Sequence, residues 1–449
     1  MKIIVIDDDP TGSQTVNDCL LLLRWDYKTL LEGFKSKSKL FFILANTRAL
    51  SEEDVQKRLK EICNSINYII KNEGYENEEI IFVSRGDSTL RGHNFLEPNL
   101  INTLLGPFDA TFHIPAFLEG NRITMFGKHF VENIPAHQTV YAKDKIFGYE
   151  TNNIGELLCM KSHSKLNLCE IKNLIFSDIE KLDLKNSNKV FQFLSNLNNN
   201  NQVIVVIKNY YHLEKFCSAI LKLIPEKRFL FRTAASFIST ISNSKQIKKG
   251  NSYFSNLRRK NDKNEFSPGL FIIGSHIELS TIQLSYLLES QSVKQVELNV
   301  TNFYNIFKLK DNKKQLLQFK KELLSQIKFY LNKKITPIFS TSRKFIVLND
   351  NDNQSTFQYA LAIFIAELVK ELRNDLSYII SKGGITTNTI LSNGLDSNYV
   401  YLEGQIFPGI SIVTAKLENC EKPLPVITFP GNIGDKDTLV KIWNIFEYQ

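Results

Sequence analysis

The chain has 449 residues, of which 43% are hydrophobic and 23% charged, and a net charge of +8; this is too long for one ordinary core, so two globular domains are expected. No apolar run is long enough to span a bilayer, and the opening MKIIVIDDDP meets three aspartates too early for a signal peptide, so a cytoplasmic protein without a membrane partner is expected. Cysteines at 19, 63, 159, 169, 217 and 420 form no CxxC pair, and the lysine-rich stretch Lys245 to Lys263 lacks interleaved aromatic residues; this argues against a zinc knuckle, a disulfide framework and a nucleic-acid partner.

In chain order, Lys2 to Ile6 predicts a short strand running into Asp7-Asp8-Asp9-Pro10-Thr11-Gly12. Open α/β sheets place ligands at such strand ends, and adjacent acids repel one another unless a cation, an arginine or a sugar hydroxyl sits among them. A second strand, Leu40 to Leu44, ends in Ala45-Asn46-Thr47-Arg48, and Ser51-Glu52-Glu53 opens an amphipathic helix reaching about Asn72. The third strand, Glu79 to Val83, delivers SRGDSTLRGH, residues 84–93. There Arg85 and Arg91 bracket Asp87, with Ser88 and Thr89 between them and Gly86 and Gly92 allowing close approach of a small guest. Guanidinium forks hold a carboxylate or phosphate, and an Asp accepts from an alcohol and can take its proton, so a small hydroxylated anion fits better than a solvated loop.

Asp109 to Pro115 is a further strand, followed by a polar rim carrying Glu119, Asn121 and Arg122. His113 and His129 are not at metal spacing with each other and read as hydrogen-bonded structural residues. The tract Asn198 to Asn201 reads as a surface turn, Val203 to Ile207 as a buried strand, and Phe229 to Ala234 as a strand end with another arginine. The polar segment 243–267 is the expected linker between domains 1–242 and 268–449.

The second half starts again with a strand, Gly269 to Ile273, and Gly274-Ser275-His276, then a helix over Leu279 to Leu288 and another over about Lys313 to Leu331. Strand Pro337 to Phe339 leads into Ser340-Thr341-Ser342-Arg343, and a helix is expected over about Ser355 to Arg373. Then Tyr378-Ile379-Ile380-Ser381-Lys382-Gly383-Gly384 combines a strand, paired glycines and a helix start, where backbone N–H groups can cradle phosphate. The order of lysine and glycines is not that of a Walker A loop. Further glycine turns are read at Gly404-Gln405-Ile406-Phe407-Pro408-Gly409 and Pro430-Gly431-Asn432-Ile433-Gly434. Together they shift the balance toward a nucleotide site. The fold class expected is α/β, with two domains, each a mostly parallel sheet flanked by helices, and an active-site cleft between them.

IDDDPTGSQT, NTRAL, SRGDSTLRGH, IPAFLEGNRIT, FRTAASF, SKGGITTNTI, GQIFPGI and PGNIGD occur in this order along nearly the whole chain, and together they resemble the four-carbon acid sugar kinase family. That resemblance implies a sugar-acid domain, an ATP domain and transfer of the γ-phosphoryl group to the 4-hydroxyl of a C4 sugar acid such as 3-oxo-tetronate, threonate or erythronate. Asp8, Asp9, Thr11, Arg85, Asp87, Ser88, Arg91 and Asn121 are then expected at the sugar acid, with Asp87 or Asp8 as the proton acceptor. Ser275, Ser340, Lys382, Gly383, Gly384, Gly404, Gln405, Pro408, Gly409, Gly431, Asn432 and Gly434 are expected at ATP. Mg2+ would arrive with the nucleotide, no dedicated metal ligands are expected, and a homodimer is allowed. Two alternatives stay open. Asp7, Asp9 and Thr11 match the DxDxT nucleophile motif of a haloacid-dehalogenase-type phosphatase, and a non-catalytic sugar-acid sensor could keep the same fold.

Overall fold

Apolar runs such as Ile3-Ile4-Val5-Ile6 and Leu40–Leu44 are buried along their whole length, the pattern of strands covered on both faces by helices. The computed structural model describes residues 1–9, 15–76, 79–175, 188–224, 226–243, 249–261, 264–290, 292–343, 346, 351–418, 420, 422–431 and 433–448. The chain divides into two compact units, Met1–Gln246 and Ile247–Gln449.

In the first unit the strands are β1 Lys2–Asp7, β2 Cys19–Leu22, β3 Leu40–Leu44, β4 Ile80–Arg85, β5 Ala110–Ile114, β6 Arg122–Met125, β7 Lys128–Val131, β8 Ile134–Pro135, β9 Lys172–Leu174, β10 Asn201–Val205 and β11 Phe229–Thr233. Its main sheet runs β2-β3-β1-β4-β11-β5-β10-β9, with every pairing parallel. From β1 the order departs to β3 on one side and β4 on the other, which makes the ends of β1 and β4 a switch point, where open α/β sheets bind ligands. The helix Glu52–Asn72 starts as expected, with the Ser51 side chain accepting from the Asp54 N–H.

The rim at 119–135 is more ordered than a loop. Strands β6, β7 and β8 form a small antiparallel sheet. Phe126 and Gly127 turn the β6–β7 hairpin with φ of 49° and 73°, the left-handed pair that suits a two-residue hairpin. Strand β2 also lies outside the sequence expectation, because its Cys19-Leu20-Leu21-Leu22 run is too short for periodicity to separate strand from helix.

In the second unit the strands are β12 Leu270–Ile273, β13 Val293–Leu298, β14 Thr336–Thr341, β15 Ile379–Lys382, β16 Tyr399–Phe407, β17 Ile410–Ala415 and β18 Leu424–Phe429. The order is β13-β14-β12-β15-β18-β17-β16, parallel as far as β18 and antiparallel for the last two pairings. Here the switch point lies between β12 and β15. Gly404 and Gln405, expected in a turn, sit inside β16; only Pro408-Gly409 turns the chain, into β17. Alternation in Tyr399–Phe407 is irregular because the pairing with β17 shifts register after Leu402 and after Gln405. The segment 243–267, expected as linker, carries a helix, Asn251–Asn256. Its Phe254 is buried among Phe271, Tyr378 and Trp443 of the second unit, and Arg258 and Arg259 donate to the Phe446 and Leu376 carbonyls, which ties the polar stretch to that core.

Candidate active site

At the ends of β1, β3, β4 and β11 three arginines, Arg48, Arg85 and Arg232, meet the carboxylates of the Asp7-Asp8-Asp9 run. Asp8, 1% exposed, receives Arg48 Nη2 on Oδ1 at 2.6 Å and Arg48 Nε on Oδ2 at 3.2 Å. Arg85 Nη1 donates to the same Oδ1 at 3.3 Å, and Arg232 Nη2 stands 4.0 Å from Oδ2. Asp9 takes the remaining arm of Arg48, Nη1 to Oδ2 at 2.8 Å. Asp7 accepts from Arg85 Nη1 at 3.3 Å and from the Asp9 N–H at 3.1 Å. Burial outweighs the Arg85 charge and raises the Asp7 carboxyl to about 7.

Arg232 also donates to Glu97 Oε2 at 2.5 Å and Ser84 Oγ at 2.8 Å, and Thr47 Oγ1 donates to Glu97 Oε1 at 2.8 Å. A Cβ on Gly86 would meet the Arg232 guanidinium at 2.5 Å. The glycine of SRGD is therefore required by the arginine packed on it.

Asp87 lies on the loop after β4. Arg91 Nε donates to its Oδ2 at 2.7 Å, and the Thr89 hydroxyl donates to the same oxygen. Burial by itself would raise Asp87, but the Arg48 and Arg91 guanidiniums overcome it and hold the carboxyl well below the usual carboxylate range. The Arg122 guanidinium donates to Ser88 Oγ. His129 Nε2 bonds the Ser88 carbonyl at 2.8 Å, and burial lowers this imidazole to about 4, so it is a neutral strut. His113, bonded to Gln202 Oε1 at 2.8 Å and likewise lowered by burial to about 4, is also structural. Leu90 and Gly92 take φ of 65° and 93°, curling the loop back toward Asp8, whose Oδ2 would lie 3.3 Å from a Gly92 Cβ.

Asp8, Asp9, Arg85, Asp87, Ser88 and Arg91 are thus brought together. Asn121 is not part of this cluster: it is exposed, with φ of 50°, after the short turn Leu118–Gly120. Thr11 lies outside the described residues. Arg85, expected to face a ligand carboxylate, is instead committed to Asp7 and Asp8. Arg48 and Arg232 stand in the sequence as arginines at strand ends, and only the fold gives them Asp8 and Glu97 as partners. Glu97 gave no signal, since an acid inside a helical stretch reads as surface until the fold buries it.

The second unit builds a different site. Around the ends of β12, β14, β15 and β18 lies a cavity of about 250 Å³. Gly274, Ser275, Gly383, Gly384 and Gly431 line one side, and Val300, Phe357, Leu361 and Ile365 another. Bare backbone is needed here. A Cβ on Gly274 would meet Thr386 Oγ1 at 2.3 Å and one on Gly431 would meet Ser275 Oγ at 2.6 Å, while Gly383 has φ of 125°. Arg343 Nη1 donates to the Ser275 carbonyl at 2.7 Å. Lys382 is buried behind the glycines, with Nζ donating to the Pro430 carbonyl at 3.0 Å.

Of the other residues expected at a nucleotide, Ser340 is buried and accepts from Gln295 Nε2 at 2.8 Å, while its neighbour Thr341 lines the cavity. Gly404, Gln405, Pro408, Gly409 and Gly434 are not among the lining residues. Gly409 has φ of 76° with Ile433 packed where a Cβ would go, and Gly434 has φ of 84° beside Thr438. Asn432 lies outside the described residues.

Comparison with known proteins adds a family to this geometry. The model of a sugar-binding N-terminal domain matches residues 3–241, and that of a nucleotide-binding C-terminal domain matches residues 270–439. The chain belongs to the four-carbon acid sugar kinase family. Within this kinase family, a D-erythronate kinase of Heliobacterium modesticaldum is 30% identical over 152 residues; the match spans 32% of this chain and 32% of that relative. Two solved structures share the fold. A Salmonella typhimurium LT2 protein described as a candidate tRNA synthase has a TM-score of 0.69 at 13% identity, covering 100% of this chain and 99% of that one. A Haemophilus influenzae protein has a TM-score of 0.67 at 15% identity, covering 99% and 100%. No helix among the described residues is long and apolar enough to cross a membrane.

Proposed function

We propose that this family member is an ATP-dependent kinase acting on the 4-hydroxyl of a four-carbon sugar acid of the erythronate, threonate or 3-oxo-tetronate type. One observation carries the reading: a carboxylate, Asp87, held ionised between Arg48 and Arg91 at the switch point of a domain that matches a sugar-binding family, in a chain whose other domain matches a nucleotide-binding one. The arrangement suits phosphoryl transfer, where positioning and charge stabilisation matter more than a strong base.

Asp87 orients the 4-hydroxyl through a carboxylate oxygen and accepts its proton as the new O–P bond forms and the bond from the γ-phosphorus to the β-phosphate oxygen breaks, releasing ADP. Asp8, saturated by Arg48 and Arg85 with Arg232 close by, is the fixed counter-charge of the arginine shell and a poor second candidate for the base. Arg91, the partly exposed arginine of the loop, and Arg122 are the cations with guanidinium edges left to meet a substrate carboxylate. In the second unit the amides of Gly384 and Gly431 face the phosphates, and the apolar wall of Val300, Phe357 and Leu361 receives the base. Mg2+ arriving with the nucleotide would offset the charge of its phosphates and would need few protein ligands of its own.

The phosphatase alternative needs Asp7 as an open nucleophile, whereas Asp7 is 0% exposed and engaged by Arg85. The test is ADP production from MgATP against erythronate, threonate and their 3-oxo forms in both stereochemical series. Turnover with one C4 acid well above the ATPase background supports the kinase. Tight binding of acid and nucleotide with no ADP from any acceptor supports the sensor.

A further inference from the structure

Lys382 ends β15 wholly buried, with 0% of its surface exposed. Its Nζ donates to the Pro430 carbonyl at 3.0 Å and stands 3.7 Å over the Phe429 ring. Among the described residues no carboxylate lies within ion-pair distance of Nζ. A buried amine without a counter-ion favours its neutral form, and burial lowers Lys382 to about 7.

Its position matters as much as its charge. The lysine's own carbonyl accepts from the Gly274 N–H at 3.2 Å, and the next residue, Gly383, donates its N–H to the Phe429 carbonyl at 2.9 Å. Lys382 therefore ties together three turns of the cavity wall: Gly274-Ser275, Gly383-Gly384 and Pro430-Gly431. On the adjoining turns, His276 follows Ser275 and is itself lowered by burial and by Arg343, while Arg343 donates Nη1 to the Ser275 carbonyl at 2.7 Å, with Glu297 opposing the effect of burial on its charge. Strand β18 ends at Phe429, with Pro430 after it, and the helix Gly384–Thr389 sets the Thr387 hydroxyl against Ser381.

We infer that Lys382 is a proton-linked positioning residue, clamping the Pro430-Gly431 turn through the Pro430 carbonyl and taking up one proton from solvent when nucleotide phosphates enter the cavity and supply its counter-ion. The inference rests on the nucleotide reading above and adds to it a coupling between pH and nucleotide affinity. An anion within about 6 Å favours the charged amine; the proton goes onto the Nζ lone pair, so the bound state carries one more positive charge than the free protein.

The experiment is calorimetric titration of the full chain with MgADP at pH 8, in two buffers of different ionisation enthalpy. Uptake of roughly 0.5–1 proton per nucleotide is expected, falling toward zero below about pH 6, where Lys382 is already charged. His276→Gln should keep this uptake, and Lys382→Met should lose it together with about tenfold or more in affinity. Binding heat without proton uptake between pH 7 and 9 overturns the inference while leaving the nucleotide reading intact. Loss of uptake in His276→Gln overturns it in favour of the imidazole. Absence of any MgADP binding overturns both. Should Lys382→Met fail to fold, the pH dependence in the wild-type protein and in His276→Gln decides.

Discussion

Around Asp8 in the first unit, charge is met by charge: Arg48, Arg85 and Arg232 converge on carboxylates that are almost entirely buried. Around Gly383 in the second unit, side chains are mostly withdrawn, and backbone amides border a cavity whose other wall is apolar. On the proposed function, the contrast follows from what each would hold. A small polyhydroxylated acid offers few atoms, so recognition depends on side chains held in place by ion pairs to buried carboxylates such as Arg48–Asp8 and Arg91–Asp87. A nucleotide offers phosphates that can lie against bare peptide groups and a flat base that only needs a dry slot. Damage to the first site should therefore appear as lost chemistry or lost stability of its own unit, and damage to the second as lost nucleotide affinity.

The largest expected effect is on chemistry. Asp87→Asn should lower sugar-acid-dependent ADP release by about 10²–10⁴-fold with MgADP affinity unchanged in calorimetry; normal turnover would remove Asp87 from its role. Next comes stability. Arg232→Leu strands Glu97 inside the protein and should cost roughly 3–5 kcal/mol in denaturant unfolding of the first unit. Adding Glu97→Leu should recover much of that loss, since the uncompensated charge is then gone; no recovery would mean that Arg232 acts mainly through Asp8.

A smaller effect has a definite sign. The folded-state carboxyl of Asp7 is raised to about 7, so the stability it contributes is present below its unfolded value and lost as pH rises through about 7. Asp7→Asn should thus match the wild type near pH 4 and exceed it at pH 8, by on the order of 2 kcal/mol. Asp87 behaves oppositely. It is held low by Arg48 and Arg91, so its contribution stands above the ordinary carboxylate range and is lost as pH falls through that range. The smallest effect belongs to the second site. Gly383→Ala places a Cβ at φ of 125° and should weaken nucleotide binding about tenfold while leaving the KM for the sugar acid unchanged.

Much of this contrast is legible in the sequence, and the reasons differ by element. Strands Leu40–Leu44 and Phe229–Thr233 are apolar runs closed by polar punctuation, so both their type and their ends can be read. SRGDSTLRGH announces a site because glycines, arginines and an aspartate together have no use in a buried strand. Partners, however, are not written locally. That Arg85 turns to Asp7 and Asp8, and that Gly86 exists to admit Arg232, depends on which strands are neighbours in the sheet. GQIFPG misled for a related reason: Gly404 in an extended strand with a register shift looks the same, in letters, as Gly409 in a turn.

The most direct measurement is ³¹P NMR of the full chain incubated with MgATP and a four-carbon sugar acid. The account predicts a new phosphomonoester on the terminal C4 oxygen, formed in one-to-one ratio with ADP and absent from Asp87→Asn. Inorganic phosphate as the only new signal, or a phosphoester formed equally well by Asp87→Asn, would contradict it.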